Sequence, residues 1–410
     1  MSSTGHHKAA RWGDLVVGPF EGHHRVSYAV RTSHDSGCGS QGSWVKVCVP
    51  QPGVFRYDRR CFASEEGLLK FLAGRVPRIP SVIDPDPEGP VHSFIQGRTL
   101  GRVSGERGRV DIRFVDQIMD VFESLTRIDA REISVERACG HGRRTHRWGD
   151  SQSFYRGLLE FIRTSGYETE VTPFRALLAD FGVSMKLLKD LERRSRGLTD
   201  RPFSLLHGDL HRENMIVDAD NNLWTIDWEL ARIGDPLYEL ATHLYLMRYP
   251  EDQERVVVDH WKIRVAAAHA GAADGADADL PHYLAFKRVQ SAHTDLMRAG
   301  RRLALLADDS PELIRTASVA ADVIVGVLKA VEGEGLPLEK SAPSVGEAQD
   351  ALLSWRRDFG AGVVSRHDAM AGASCHERTA ARCQGVQETD LVGESVAVGG
   401  EAAPQTAPAS

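Results

Sequence analysis

The stretch that decides the fold is Leu205–Asn214, with the sequence LLHGDLHREN, followed shortly by Leu223–Glu229, LWTIDWE. The first stretch contains Asp209 and Asn214, and the second contains Asp227. Phosphoryl transfer to a hydroxyl requires one carboxylate that accepts the hydroxyl proton, and an amide and a second carboxylate that hold the magnesium ions. The two stretches contain these groups in the required order and spacing. They therefore predict phosphoryl-transfer chemistry.

The local pattern places the three groups together. The apolar run Phe203–Leu206 is followed by Gly208, which predicts a strand that enters a tight loop. The apolar runs Met215–Val217 and Leu223–Ile226 are joined by the polar segment Asp218–Asn222, which is typical of a β-hairpin. This hairpin would bring the second carboxylate back beside the amide. The alternative is two hairpins with ordinary polar turns, and the complete set of residues argues against it.

The extended motif resembles a known family. His207–Asn214 (HGDLHREN), Ile226–Glu229 (IDWE) and Gly234–Ala241 (GDPLYELA) are similar to the aminoglycoside phosphotransferase family, which shares the protein-kinase-like fold with choline kinases. The resemblance continues more weakly over residues 12–359. It implies an α+β protein of two lobes, with a nucleotide in the cleft between a small antiparallel-sheet N-lobe and a mostly helical C-lobe.

The resemblance also implies a division of the chain. We expect the N-lobe, which binds the nucleotide, at residues 12–97, and the C-lobe, with the catalytic loop and the substrate pocket, at residues 98–359. Residues 1–11 are predicted to be a flexible N-terminus. Residues 360–410 are rich in Ala, Gly, Glu, Thr and Pro. Such a segment cannot bury enough apolar surface to offset its ordering entropy, so we predict a disordered tail there.

Two charged residues of the N-lobe are candidates for positioning the phosphates. Trp44–Val49 alternates like a strand and has Lys46 in its middle, where a kinase lysine pairs with the α- and β-phosphates. The helix that follows, predicted at Cys61–Leu72, would place Glu65 against that lysine, with Glu66 as the second choice. The alternative is a solvated edge-strand lysine beside a surface helix.

A turn between two predicted strands, Leu15–Phe20 and Arg25–Arg31, would lie over the nucleotide phosphates. Backbone N–H groups bind phosphate there, so Gly22 would allow close approach. The glycine pattern usual for such turns is absent. A plain hairpin turn at Gly22 therefore stays open as an alternative to phosphate binding.

Val91–Leu100 is predicted to form a strand and the hinge that joins the lobes. In this fold the backbone of Phe94, Ile95 and Gln96 would form hydrogen bonds with the purine. Backbone recognition is compatible with either base. The sequence thus predicts ATP or GTP as the co-substrate, together with Mg²⁺.

A protein substrate is disfavoured. Protein kinases have His-Arg-Asp at this place in the catalytic loop, and Gly208 replaces that arginine here. The turn Gly234–Pro236 follows soon after Asp227, which leaves no room for an activation segment. We therefore expect a small hydroxylated molecule as the acceptor.

The resemblance makes antibiotic inactivation the leading role, with an aminoglycoside, nucleoside or peptide antibiotic as the acceptor. One alternative is a metabolic kinase that acts on choline, an amino-acid alcohol or a sugar. A second alternative is a pseudokinase that binds nucleotide without chemistry. The presence of all three predicted catalytic and metal-binding residues argues against the pseudokinase.

Composition limits the remaining classes. The 410 residues are 42% hydrophobic and 26% charged, with a net charge of −7, which gives no indication of nucleic-acid binding. No apolar run approaches the length of a membrane helix, and the N-terminus has no apolar signal core. The six cysteines show neither paired spacing nor a zinc pattern. We expect a cytoplasmic protein, monomeric or homodimeric, without membrane or nucleic-acid partners.

Overall fold

The computed structural model describes residues 3–21, 25–32, 43–50, 60–86, 89–138, 149–164, 171–308 and 310–372. Within these ranges antiparallel strands dominate the first lobe and helices dominate the second. The predicted two-lobed α+β class is confirmed. Among the described helices, none has the length and apolar character that crossing a membrane requires.

The N-lobe is built on a five-stranded antiparallel sheet with strand order β1-β2-β3-β5-β4. Alternating apolar side chains of β2, β3 and β5 form its core, so the period-two pattern of the sequence is the direct cause of the sheet. One helix, α2, lies between β3 and β4, and the Ser64 hydroxyl caps its start. The bounds are β1 Leu15–Glu21, β2 Arg25–Arg31, β3 Trp44–Pro50, α2 Glu65–Leu72, β4 Val82–Asp86 and β5 Gly89–Ser93.

A helix, α1 (Ser3–Ala10), precedes the sheet, within the residues 1–11 for which the sequence predicted a flexible N-terminus. Ala9 is fully buried in the core of the sheet beside Tyr28. Gly5 lies so close that an added Cβ would come 2.8 Å from the Tyr28 hydroxyl. The helix is only eight residues long, and its contacts are with β1, β2 and β3. A helix this short depends on tertiary packing, so its sequence alone gave no helical signal.

The C-lobe consists of ten helices within the described ranges. Apolar residues at helical spacing produce the buried faces, as in α4, whose Val115, Ile118, Phe122 and Leu125 are all buried. The bounds are α3 Leu100–Ser104, α4 Ile112–Arg127, α5 Ser151–Ile162, α6 Val171–Asp180, α7 Met185–Arg194, α8 Pro236–Met247, α9 Glu251–Ala268, α10 Ala276–Ala304, α11 Pro311–Gly333 and α12 Val345–Gly372.

The last helix departs from the predicted tail boundary. Backbone helix continues to Gly372, so residues 360–372 belong to α12 rather than to a disordered tail. Trp355, buried on this helix, stacks on Phe174 at a centroid distance of 5.6 Å and anchors α12 to α6. The remainder of the predicted tail, residues 373–410, lies outside the described residues.

Five short strands organise the loops of the C-lobe. They pair as a three-stranded sheet, β6-β8-β9, and a two-stranded sheet, β7-β10. The predicted hairpin is β8 and β9, with Ile216 opposite Trp224. The bounds are β6 Arg98–Thr99, β7 Ser204–Leu206, β8 Met215–Val217, β9 Leu223–Thr225 and β10 Arg232–Gly234.

The hinge between the lobes is pressed against this hairpin. At Gly97 an added Cβ would lie 2.3 Å from the carbonyl oxygen of Val217, so only glycine fits. The next residues form β6, in which Arg98 pairs with Val217. The chain therefore enters the C-lobe in direct contact with the strand that follows the catalytic loop.

Candidate active site

The loop between β7 and β8 turns sharply at Gly208, which has φ +83°. An added Cβ there would lie 2.6 Å from the carbonyl oxygen of Leu230. The preceding His207 is fully buried, and its Nε2 lies 3.0 Å from the carbonyl oxygen of Ile226. Glycine geometry and a buried histidine thus fix the backbone at the point where Asp209 follows.

Asp209 and Asn214 contact each other directly. The Asn214 amide donates from Nδ2 to the Asp209 carbonyl oxygen at 2.9 Å and to Oδ2 of its side chain at 3.0 Å. His211 Nε2 lies 3.4 Å from the same Oδ2. Within the described part of the chain, Oδ1 of Asp209 accepts no hydrogen bond. One carboxylate oxygen is therefore held in place and the other is available to an acceptor hydroxyl.

The Asp209 side chain is about 30% exposed, so it faces the cleft. Burial alone would raise the pKa of Asp209, but the hydrogen bond to His211 and the charges of His211, His207 and Lys287 lower it to about 2. The carboxylate is therefore held in its ionised form.

Asp227 ends the hairpin in the left-handed conformation, with φ 63° and ψ 67°. The backbone N–H of the preceding Ile226 donates to the Asn214 carbonyl oxygen at 3.0 Å, which places Asp227 next to the amide residue. The residue is exposed, but desolvation by the surrounding protein, followed by the charges of Glu65 and Glu229, raises the pKa of Asp227, and Lys46 opposes the shift. An excess of negative charge therefore converges on this carboxyl group.

A divalent cation fits this donor set. Asn214 and Asp227 supply an amide and a carboxylate oxygen, and Mg²⁺ typically takes one or two such ligands and completes its shell with water and phosphate oxygens. No cluster of three or more His, Cys, Asp or Glu residues in the described ranges is placed to hold a metal by itself. The repulsion that raises the pKa of Asp227 is what a bound cation would relieve.

Two residues of the N-lobe interact with the segment around Asp227. Lys46 lies in the middle of β3, and its charge acts on Asp227. Glu65, the first residue of α2, accepts a hydrogen bond from the backbone N–H of Trp228 at 2.8 Å. It also accepts one from Arg25 Nη1 at 2.8 Å. Glu65 thus ties α2 to the segment after Asp227, and its pairing with Lys46 stays a prediction.

Glu66, the second choice for that role, has other partners. Its carboxylate accepts from the Ser64 hydroxyl at 2.6 Å and from Arg25 at 3.4 Å. Burial would raise the pKa of Glu66, but hydrogen bonds to His92 and Ser64 and the charge of Arg25 lower it to about 2. Glu66 is therefore held at the start of its own helix.

Of the three backbone segments predicted to bind the purine, one is already used in a hydrogen bond within the protein. The backbone N–H of Phe94 donates to the Trp44 carbonyl oxygen at 3.0 Å. The backbones of Ile95 and Gln96 make no hydrogen bond to any other described residue, so they are the groups left for a base. Gly22, the predicted phosphate-turn residue, lies outside the described residues.

Two buried residues that support the loop were not assigned a role from the sequence. Glu239 Oε2 accepts from the Gly208 backbone N–H at 2.9 Å, and burial raises the pKa of Glu239 to about 7. Arg212 donates to the carbonyl oxygens of Met247 at 2.9 Å and Gly108 at 2.8 Å. Glu239 lies inside the quoted GDPLYELA motif, which was its only signal. For Arg212 the sequence left a phosphate contact and a solvated side chain open, because its actual partners are distant in sequence.

Beneath the loop, Asp235 accepts from the backbone N–H of Leu237 at 2.9 Å and so caps α8. Its second oxygen accepts from Arg201 at 3.0 Å and from the Tyr283 hydroxyl at 2.8 Å. All of these contacts are buried. Asp235 is therefore a support for the C-lobe rather than a contact for substrate.

A third unpredicted residue, Lys287, lies on α10. Its Nζ donates to Gln290 at 2.7 Å and lies 5.5 Å from the centre of the Tyr238 ring. The lysine is largely buried, and its charge lowers the pKa values of both Asp209 and Glu239. A cation therefore lies on the C-lobe side of the catalytic carboxylate.

Comparison with known proteins places this geometry in a family. The model of the phosphotransferase enzyme family matches residues 27–274, more than half of the chain. No curated protein matches.

Three solved structures with kinase-like folds are similar to the chain. Plasmodium vivax ethanolamine kinase is 14% identical, covers 79% of this chain and 82% of its own, and has a TM-score of 0.48. Macrolide 2′-phosphotransferase from Brachybacterium faecium is 17% identical, the alignment covers 78% of this chain and 96% of that chain, and the TM-score is 0.47. A choline/ethanolamine kinase family protein from Mesorhizobium loti is 13% identical, the alignment covers 84% of this chain and 97% of that chain, and the TM-score is 0.45. At these values the structural likenesses carry no argument about the acceptor, whereas the family model settles membership: this chain belongs to the phosphotransferase enzyme family.

Proposed function

We propose that this chain transfers the γ-phosphoryl group of ATP or GTP, in the presence of Mg²⁺, to a hydroxyl of a small natural product. The observation that supports this most directly is that the two carboxylate oxygens of Asp209 have different surroundings. Asn214 holds Oδ2 at 3.0 Å, while Oδ1 is left to a hydroxyl. Asn214 in turn lies beside Asp227, which supplies the second metal ligand.

In this mechanism Asp209 orients the acceptor hydroxyl and receives its proton as the bond to phosphorus forms. Asn214 and Asp227 would hold Mg²⁺, which neutralises charge on the phosphate oxygens. Lys46 would position the phosphates, and Glu65 would hold the N-lobe against the segment after Asp227. His207 and Glu239 keep the loop rigid, so that little reorganisation is needed when the acceptor binds.

The acceptor that we propose is an antibiotic, with inactivation by phosphorylation as the biological role. The proposed antibiotic is of the aminoglycoside, nucleoside or peptide type. A metabolic acceptor, such as choline, an amino-acid alcohol or a sugar, is the alternative.

The test is mass spectrometry of reactions that contain the purified protein, Mg²⁺, ATP or GTP and a panel of acceptors. The panel comprises nucleoside and peptide antibiotics, aminoglycosides, macrolides, choline, ethanolamine and simple sugars. We expect one antibiotic to gain the mass of a single phosphoryl group. Asp209→Ala should lower the rate by roughly 10²–10³, because a charged group of the transition state is lost. The exposed turn variant Asp220→Ala is the control.

The outcomes separate the candidates. Phosphorylation of a sugar or of choline alone would replace the antibiotic role with a metabolic one. Nucleotide binding without transfer to any acceptor would favour the pseudokinase. Turnover at the wild-type rate in Asp209→Ala would contradict the proposed mechanism.

A further inference from the structure

Arg25 is a charged residue of the nucleotide cleft that the mechanism above does not use. It begins β2, directly after the turn that the sequence places over the phosphates. Ala29 of the same strand is opposite Lys46, and Ser27 is opposite Cys48. Residues that are directly opposite in an antiparallel pair share a face, as do alternate residues of one strand. Arg25 therefore projects from the same face of the sheet as Lys46.

The contacts of Arg25 occupy only part of its guanidinium group. Nη1 donates to Glu65 at 2.8 Å and to Glu66 at 3.4 Å. Nε lies 3.9 Å from Glu229, beyond hydrogen-bond distance. Neither Nε nor Nη2 donates a hydrogen bond to any residue for which the structure gives a position. The side chain is 18% exposed, so part of the guanidinium group is accessible to a ligand.

The Nε edge of Arg25 faces Glu229, which follows the predicted metal ligand Asp227 by two residues. Glu229 is also paired with Arg60. Its carboxylate therefore takes a place between two arginines, close to the metal site. Arginine binds carboxylates and phosphates through the same planar pair of donors. A phosphate group can thus replace Glu229 as the partner of Arg25 without moving the contact to Glu65.

We propose that Arg25 is a second cationic ligand of the nucleotide triphosphate, and that Nε and Nη2 bind phosphate oxygens while Nη1 stays on Glu65. The inference rests on the proposed function in that it requires a nucleoside triphosphate as co-substrate. Glu65 then has two tasks: it ties the N-lobe to Trp228, and it holds the arginine in a fixed orientation. Preorganised in this way, the guanidinium loses little side-chain entropy on binding.

The test compares the phosphate part of the ligand with the nucleoside part. Calorimetry would measure the affinities of Mg·ATP, Mg·GTP, inorganic tripolyphosphate, adenosine and guanosine for the wild type and for Arg25→Ala. We expect Arg25→Ala to weaken binding of the preferred triphosphate and of tripolyphosphate by roughly 10- to 100-fold. Binding of the matching nucleoside should change by less than about twofold. Arg75→Ala, which removes an exposed arginine after α2, is the matched control and should change none of these affinities.

Equal weakening of the nucleoside and the triphosphate would overturn the inference, since it would show that Arg25 only maintains the shape of the lobe. Unchanged triphosphate binding would overturn it as well. If Arg25→Ala does not fold, Arg25→Lys retains the charge beside Glu65 but has no planar pair of donors, and it should still lose triphosphate affinity severalfold. A wild type that binds neither triphosphate would refute the proposed function itself, a result distinct from an effect confined to the variants.

Discussion

Asp227 is the residue at which stability and activity oppose each other. Although the residue is exposed, desolvation by the surrounding protein, followed by the charges of Glu65 and Glu229, raises the pKa of its carboxyl group. Such a group costs folding free energy unless a cation or a proton neutralises it. Active sites commonly retain groups of this kind because the chemistry requires them.

We therefore predict that Asp227→Asn abolishes turnover but leaves the protein at least as stable as the wild type in the absence of Mg²⁺. The amide removes a repelled charge at nearly constant shape. Thermal unfolding with and without Mg²⁺, together with a turnover assay, would check this. A fall in the melting temperature of the metal-free variant would contradict the assignment of Asp227 as an electrostatically strained group.

At this scale the sequence predicted what is local. Asp209 and Asn214 are five positions apart, and a single turn brings their side chains together. Glu239 and Arg212 could not be assigned in the same way. Their functions depend on contacts with Gly208 and Met247, more than thirty positions away, and no periodicity reports which distant backbone group a buried charge will meet.

Among the elements, α8 is directly linked to the catalytic loop. Glu239, in its first turn, accepts the hydrogen bond from the Gly208 backbone N–H, while Asp235 caps its start. The loop and the helix are therefore positioned as one unit. A change at Glu239 should reach Asp209 through the backbone of Gly208.

We predict that Glu239→Ala lowers the free energy of unfolding by about 1–3 kcal/mol, because the Gly208 N–H loses its acceptor inside the protein. It should also lower kcat more than it raises KM for either substrate. Glu239→Gln keeps an acceptor oxygen and should retain most of both quantities. Chemical denaturation and steady-state kinetics would measure the difference. Equal behaviour of the two variants would contradict the role of this hydrogen bond.

The first three strands followed from periodicity. β1, β2 and β3 lie close to their predicted positions, because apolar residues alternate along each of these segments of the sequence. α1 and the end of α12 were missed. For α1, the stabilising contacts come from β1, β2 and β3, so the composition of the helix alone could not predict it.

For the whole molecule, buried neutral histidines should dominate one part of the pH profile. His293 on α10 is 1% exposed, and burial lowers its pKa to about 4, from an ordinary value of about 6.5. The unfolded chain therefore takes up this proton at a higher pH than the folded protein does. The contribution of the neutral His293 to the free energy of unfolding is therefore fully present above pH 6.5 and is lost as the pH falls towards 4.

We predict that His293→Gln flattens the dependence of the unfolding free energy on pH between about 6.5 and 4, by up to about 1.4 kcal/mol per pH unit. The substitution will lower stability at neutral pH, so the slope is the quantity to compare. Urea denaturation at a series of pH values would give it. An unchanged slope would show that His293 does not titrate as a buried neutral group.

The two-lobed class was predictable because one motif indicated it. The way the lobes meet was not predictable. The Arg78 carbonyl accepts from the Thr225 N–H at 3.0 Å, and Glu65 accepts from the Trp228 N–H at 2.8 Å. These contacts join residues more than 140 positions apart. Only the folded geometry reveals them.

The fit of Gly97 against β8 has a mechanical consequence. Because β6 pairs with β8 as soon as the hinge ends, the chain is fixed to the C-lobe from Gly97 onward. Asn214 and Asp227 both lie on the C-lobe side of this point. The distance between these two residues is therefore set within the C-lobe, by the backbone hydrogen bond from Ile226 to Asn214, and does not depend on the strands of the N-lobe.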